Sequence, residues 1–208
     1  MSRYGKLRSQ KGYSRHPGSL YRVYKALGYT SKAPSRKEKR KLQKYDTPVK
    51  LGVKWQLDVK YVPAACYVGE IPDKFYQYTV IDEASRERFI SPYLEKSSHS
   101  TVDFIKRAIA FFGYAPQTIQ TDNGSEFTHI RKTKRVHPLD VFCRQANITH
   151  RLLRPRTPRH NGKVERSHRN DGERFYSHMS FYSLDDLKVQ MYRYMRRSNR
   201  IPMAVLRW

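Results

Sequence analysis

Apolar runs separated by turn-forming residues predict three successive β-strands after residue 50. The runs are Trp55–Val62, Phe75–Asp82 and Arg88–Leu94, and their β-branched and aromatic side chains favour strands. Pro63 follows the first run, and Asp73 lies just before the second. Because turn-forming residues separate the runs, the pattern predicts three successive, hairpin-like strands.

Helical spacing then alternates with shorter strands. Ser97 or Ser98 is predicted to begin a helix that Gly113 ends, and its inner face should carry Val102, Ile105, Ile109 and Phe112. Further strands are expected at Pro116–Thr121 and Ile148–Leu153, with a helix at Leu139–Ala146 between them.

Two more helices are predicted towards the end of the chain. Thr157 and Pro158 are suited to begin a helix that runs to about His178. Ser183 should begin the last one, with an inner face formed by Leu184, Leu187, Met191, Tyr194 and Met195. The order βββαβαβαα indicates an α/β fold, in which helices flank a mixed sheet.

The first 50 residues differ from the rest and are predicted to be a basic N-terminal segment, followed by one domain at 51–208. Ser19 can cap a short helix over 19–28 that Gly28 ends. From Thr30 to Lys50 the chain is rich in Lys, Arg and Ser and poor in large apolar residues, which is typical of an extended basic linker.

The net charge of +24 over 208 residues changes the picture from a generic enzyme to a protein with a polyanionic partner. Nucleic acid is the leading candidate, and a solvated surface or a ribosome-like tail is the alternative. The two cysteines, Cys66 and Cys143, form no C-x-x-C pattern, so neither a disulfide framework nor a cysteine zinc site is indicated. Neither a long apolar span nor a signal peptide is visible, so we expect a cytoplasmic, nucleoid-associated protein.

Three acidic residues stand out because of their positions in the predicted strands and helices. Asp58 is part of a strand otherwise made for burial, and Asp122 follows a strand at a glycine turn. Glu165 lies four residues after Asn161, on the same helix face. Taken singly, each has an ordinary explanation: a salt-bridged strand end, a turn-forming aspartate and a solvated helical glutamate.

Together the segments resemble the integrase core of retroviral integrases and bacterial insertion-sequence transposases, the DDE superfamily. The segments that carry the resemblance are Trp55-Gln56-Leu57-Asp58, Thr121-Asp122-Asn123-Gly124-Ser125-Glu126-Phe127 and His160-Asn161-Gly162-Lys163-Val164-Glu165-Arg166. Ser19–Leu27 is similar to the recognition helix that precedes this core. The resemblance covers residue 54 onwards, so a transposase shortened at both ends is expected.

The resemblance implies a ribonuclease H-like fold and metal-dependent cleavage and joining of DNA strands during transposition. Asp58, Asp122 and Glu165 would be the catalytic residues and would hold two Mg²⁺ or Mn²⁺ ions, for which hard oxygen ligands are suited. Asp122 and Glu165 are 43 positions apart, longer than is usual in the superfamily. The basic stretch His129–His137 is interpreted as the insertion.

Double-stranded DNA, both element ends and target, is the expected partner, together with a second copy of the chain in a homodimer or higher oligomer. Candidate DNA contacts lie in the linker, the 151–159 run and the motifs. They are Lys37, Lys39, Arg40, Lys41, Asn123, Arg156, Arg159, His160, Asn161, Lys163 and Arg166. Simple helix capping is the alternative role for His160, Asn161 and Lys163.

Two other acidic residues compete for the metal, and two other functions compete with catalysis. Asp82 is interpreted as the cap of a turn between strands, and Glu126 as a structural or DNA-facing residue. The main alternative to an active transposase is a catalytically silent DNA-binding remnant that occupies element ends or modulates a full-length partner. A ribosomal type of RNA-binding protein would not require three acidic motifs in this order.

Overall fold

The computed structural model describes residues 11–29, 47–70, 73–130, 133–153 and 161–201. The chain divides into two units, Met1–Lys44 and Tyr45–Trp208. Within the described residues, no helix combines the length and the apolar character needed to cross a membrane.

The described part of the first unit contains one helix, α1 (Pro17–Ala26). Its N-cap is His16, whose Nδ1 accepts from the N–H of Gly18 at 3.1 Å, so the prediction that Ser19 caps this helix was wrong. The predicted end is confirmed, because Gly28 follows with a φ of +71°. None of its residues is buried, which fits a segment too short to form a core alone.

The second unit is built on a five-stranded mixed sheet of order β3-β2-β1-β4-β5. The strands are β1 (Lys54–Tyr61), β2 (Tyr76–Asp82), β3 (Arg88–Tyr93), β4 (Thr118–Thr121) and β5 (Thr149–Leu152). The first three pair antiparallel, whereas β4 is parallel to both β1 and β5. The predicted hairpin-like succession and the mixed sheet are therefore confirmed.

Four helices cover the sheet: α2 (Ser98–Phe112), α3 (Pro138–Gln145), α4 (Gly162–Arg174) and α5 (Leu184–Asn199). Ser97 and Ser183 cap α2 and α5 through their side chains, and Gly113 ends α2 with a φ of +77°. These boundaries are the ones predicted from the sequence. Helix α4 ends at Arg174 instead of continuing to His178, and a 3-10 turn follows at Tyr176–His178. The predicted start at Thr157 lies outside the described residues.

The inner face of α2 differs from the predicted one. Phe104 and Ile105 are buried together with small residues on the same side, whereas Val102, Ile109 and Phe112 are only partly buried. Phe104 packs between Tyr78 and Phe89, with ring centroids 5.4 and 5.3 Å away. Small side chains let the helix approach the sheet closely, so the helix is turned towards Phe104.

Strand β1 separates an apolar layer from a polar one. Trp55 and Leu57 are fully buried, and the Trp55 ring lies 4.7 Å from that of Phe112 on α2. Gln56, Asp58 and Lys60 alternate with them and project to the opposite face, where each interacts with α4. The polar side chains of β1, including the candidate catalytic residue Asp58, thus lie between β1 and α4.

Candidate active site

Asp58 lies on the α4 side of β1, with 18% of its side chain exposed. Burial and the negative charges of Asp122, Glu165 and Glu126 raise its pKa from 3.8 to about 7. The N–H of Val59, which donates to Oδ1 at 2.9 Å, opposes this shift. Since charge effects of this kind weaken with distance, Asp122, Glu165 and Glu126 are near enough to Asp58 to disfavour its charged form.

Asp122 comes near Asp58 because β4 runs parallel to β1 and ends just before Asp122. The residue is exposed, and its Oδ1 accepts from the N–H of Gly124 at 2.9 Å. The turn therefore fixes one carboxylate oxygen and leaves the other oxygen outside this bond. Its position at the carboxyl end of a strand agrees with the sequence prediction.

Glu165 lies in the first turn of α4 and is exposed. Gln56 stabilises the N-terminal end of this helix, because its Oε1 accepts from the N–H groups of Lys163 and Val164 at 3.2 Å each. Asn161 occupies the N-cap position but makes no capping hydrogen bond with its side chain. Gln56, a residue of β1, therefore accepts the hydrogen bonds that the side chain of the N-cap residue usually accepts.

His168 adds a fourth side chain that the sequence did not single out. It follows Glu165 by one helical turn, and its Nδ1 lies 3.5 Å from Oδ2 of Asp58. Burial, together with the charges of Lys60 and Arg88, lowers the pKa of His168 to about 4. The ring is therefore neutral near pH 7, so its contact with Asp58 is a polar contact and not an ion pair.

Glu126 is 2% exposed, and its Oε1 lies 3.1 Å from Nζ of Lys96. Its Oε2 is buried and has no hydrogen-bond partner among the described residues. A Cβ added to Gly124 would come within 2.6 Å of this carboxyl group, so the glycine leaves room for it. Asp82 caps its turn as predicted, because its Oδ1 accepts from the N–H groups of Ala84 and Ser85.

Among the residues that the structure describes, no three carboxylate, imidazole or thiolate groups lie close enough to form a metal cage. The chemistry of the donors nevertheless fits a divalent cation. Burial and mutual repulsion disfavour the charged form of Asp58, and a bound cation would relieve that repulsion. Carboxylate oxygens are also the ligands that Mg²⁺ and Mn²⁺ prefer.

The candidate DNA contacts that the structure describes have different surroundings. Asn123 and Arg166 are exposed, although the Asn123 side chain also donates to the carbonyl of Leu153 at 2.9 Å. Asn161 is 4% exposed, and the Lys163 ammonium is bound to Glu83 at 2.7 Å. The others lie outside the described residues: Lys37, Lys39, Arg40, Lys41, Arg156, Arg159 and His160. DNA contact by any of these residues stays a prediction.

Three polar residues of this site were not singled out in the sequence: Gln56, Glu83 and His168. Gln56 had a visible signal, because it is a polar residue two positions before Asp58 in a strand and so shares its face. His168 stands three residues after Glu165, a spacing that places both on one helix side. For Glu83, which lies 80 positions from its partner Lys163, no local pattern was available.

The integrase core domain family matches residues 49–158, more than half of the chain, and a second integrase core domain family matches residues 146–201. The chain belongs to the integrase core domain family. This confirms the resemblance to integrase and transposase cores that the three acidic motifs carried.

Two relatives are about one third identical to this integrase core over the aligned residues. Integrase ORF3 of Spiroplasma virus SpV1-C74 is 35% identical over 125 residues, 55% of this chain and 34% of the relative. The Pol-related polyprotein of the mouse intracisternal A-particle MIA14 is 34% identical over 116 residues, 55% of this chain and 12% of the polyprotein. The matches thus span well under two thirds of either relative.

Two solved structures share the fold of this integrase core. The catalytic core domain of BIV integrase superposes with a TM-score of 0.55 at 18% identity, covering 74% of this chain and 87% of that one. The HTLV-2 integrase catalytic core domain in complex with magnesium gives 0.50 at 21% identity, covering 72% and 84%. The predicted ribonuclease H-like fold is therefore confirmed.

Proposed function

We propose that this integrase core is the catalytic core of a transposase that cleaves DNA strands and joins them to a target. The observation that supports this most directly is the raised pKa of Asp58, caused by burial and by the charges of Asp122 and Glu165. Groups with strongly shifted pKa values concentrate at functional sites. A largely buried carboxylate with other negative charges around it is unfavourable unless a cation binds there.

Asp58, Asp122 and Glu165 are the residues that would hold the two ions. Bound Mg²⁺ or Mn²⁺ would activate a water or a 3′-hydroxyl group as nucleophile and stabilise the leaving oxygen. His168 contacts Oδ2 of Asp58 and Val59 donates to Oδ1, so both oxygens of this carboxylate are oriented by the protein. Such fixed orientation is what positions ligands for catalysis.

Double-stranded DNA is the proposed substrate, as element end and as target. The net charge of +24 supplies the electrostatic attraction. Arg166 is exposed beside Glu165, and Asn123 is exposed beside Asp122, so both are placed to contact a backbone that reaches the carboxylates. Because two element ends must be joined to one target, we propose that the active form is a homodimer or a higher oligomer.

The experiment that tests this proposal measures Mg²⁺-dependent nicking of a supercoiled plasmid, with Mn²⁺ as the second cation. Asp58→Asn, Asp122→Asn and Glu165→Gln should each reduce the nicking rate by roughly a thousandfold or more, equivalent to about 4 kcal/mol. DNA affinity should stay equal or rise, because a negative charge near phosphate is removed. Asp185→Asn is the matched control, since Asp185 is an exposed carboxylate on α5.

Nicking that persists in Asp58→Asn would refute the assignment of the site. A wild-type chain that binds DNA but does not nick it with either cation would instead support the non-catalytic alternative, in which the protein only occupies element ends or modulates a full-length partner.

A further inference from the structure

A second cluster of buried polar side chains surrounds the first turn of α4, beside the proposed active site. Gln56 is 1% exposed and Glu83 is fully buried. Glu83 lies in the turn that follows β2, and its N–H donates to the carbonyl of Lys54 at 3.0 Å. The turn is therefore attached to the start of β1, the strand that carries Asp58.

The Glu83 carboxylate joins this turn to α4. Its Oε2 accepts from Nζ of Lys163 at 2.7 Å, and its Oε1 accepts from Nε2 of Gln56 at 2.7 Å. Lys54 contributes a second ammonium group, 3.3 Å from Oε1. A buried carboxylate with several charge-assisted partners is held rigidly, because loss of any partner leaves charge poorly compensated in a low-dielectric interior.

Gln56 completes the connection with its other amide atom. Its Oε1 accepts from the backbone N–H groups of Lys163 and Val164, which lie in the first turn, where N–H groups have no partner within the helix. One side chain therefore contacts both Glu83 and the first turn of the helix. Gln56 lies two residues before Asp58 on the same strand face, and Lys163 lies two residues before Glu165.

We propose that Gln56, Glu83 and Lys163 form a positioning clamp, which sets the distance between the Glu165 and Asp58 carboxylates. This inference rests on the proposed function, because it concerns the same two carboxylates. Gln56 and Lys163 each lie two positions from one of these carboxylates along regular backbone, and Glu83 joins Gln56 to Lys163. A shift of the first turn of α4 would thus move Glu165 relative to Asp58, and a metal site tolerates little such movement.

The clamp assigns Lys163 a role different from the DNA contact expected from its motif. Its side chain is 15% exposed, and its ammonium is directed to Glu83 and to Oγ1 of Thr47, 3.3 Å away. To reach a phosphate it would have to leave a buried carboxylate with less compensation. A DNA contact and a clamp predict different measurements.

The test is a titration of the full chain with Mn²⁺ alone, followed by EPR of the free ion, in the absence of DNA. Lys163→Met, Glu83→Gln and Gln56→Met should each weaken Mn²⁺ binding by about tenfold or more, the range typical for groups that orient metal ligands. The Mg²⁺ concentration for half-maximal nicking should rise by a similar factor. The KM for DNA should change little, because no DNA contact is removed.

Arg169→Met is the matched control, because it removes an exposed positive charge from the same helix. It should leave Mn²⁺ binding within about twofold of wild type. The double variant Glu83→Gln/Lys163→Met should bind Mn²⁺ about as well as the weaker single variant, since the two residues act through one contact. A thermal melt of each variant checks that it is folded. If Glu83→Gln fails to fold, Lys163→Met still tests the clamp, because Lys54 remains beside Glu83 in that variant.

Mn²⁺ affinities of all folded clamp variants equal to that of Arg169→Met would overturn the clamp. So would a Lys163→Met variant that changes only the salt dependence of DNA binding, because that result assigns Lys163 to DNA. If wild type nicks DNA and Asp58→Asn does not, while the clamp variants behave as wild type, the clamp alone is wrong. A wild-type chain with neither Mn²⁺ binding nor nicking would overturn both proposals.

Discussion

At the level of single residues, burial and charge act on Asp58 in the same direction. Both favour its protonated form, so its pKa of about 7 is far above the ordinary 3.8. In the metal-free protein, the native state therefore keeps a proton that the unfolded chain has lost between about pH 4 and pH 7. Linkage requires that this group lowers the free energy of unfolding as the pH rises through that window.

Asp58→Asn should remove this pH dependence. Its melting temperature relative to wild type, measured in EDTA, should increase from pH 4 to pH 8, with the variant the more stable protein at the higher pH. Asp185→Asn provides the control, because an exposed carboxylate lacks the burial that raises the Asp58 pKa. If the melting temperatures of wild type and Asp58→Asn changed in parallel with pH across this range, the pKa of Asp58 would not be raised in solution.

At the level of elements, the helix ends show which local rules hold. Ser97, Gly113 and Ser183 behave as the sequence predicts, because a capping hydroxyl and a left-handed glycine act within one turn of the chain. Helix α4 follows other rules. Gln56 holds its start, and its other end is fixed by buried Asp171, which accepts from Arg88 at 2.5 Å.

Two glycines allow a matched test of these rules. Gly113→Ala should destabilise the fold by about 1 kcal/mol, because Gly113 has a φ of +77° that a side chain strains. Gly172→Ala should stabilise it by up to about 1 kcal/mol, since Gly172 lies within α4 with open space around its Cα. Guanidinium unfolding measures both. Equal effects of the two substitutions would contradict the assigned backbone conformations.

At the level of the whole molecule, the basic charge is concentrated in the N-terminal region. Residues 1–50 contain 15 Lys and Arg residues but only Glu38 and Asp46 as acids. Such a segment is suited to contact the DNA backbone without reading sequence. Thr47 contacts Lys163, so a deletion that leaves the described core intact ends at residue 46.

Removing residues 30–46 should flatten the dependence of DNA affinity on salt. Each phosphate contact contributes roughly −0.9 to the slope of log affinity against log salt concentration, and the segment holds seven Lys and Arg residues. Fluorescence anisotropy between about 50 and 200 mM salt measures the slope. A variant with these seven residues changed to Gln controls for length and should behave as the deletion does. An unchanged slope in both would mean that the segment does not contact DNA.

Much of the fold could be predicted from the sequence, because period-two runs, helical spacing and capping residues act over a few positions. They placed β1, β2, β3, both ends of α2 and the start of α5 within one or two residues. The motifs around Asp58, Asp122 and Glu165 likewise indicated the family. The face of α2 could not be predicted in this way, since it depends on how closely Phe104 approaches Tyr78 and Phe89 on the sheet.

Only the tertiary structure decided which polar side chains surround the carboxylates. Gln56 and Lys163 are 107 positions apart, and Lys163 and Glu83 are 80 apart, so no local pattern could pair them. The pKa of Asp58 likewise depends on burial and on charges contributed by β4 and α4. The sequence by itself indicated the strands and most helix ends and singled out the three acidic residues, because these signals come from neighbours along the chain. The environment of those residues depends on contacts that exist only after the sheet and α4 have packed together.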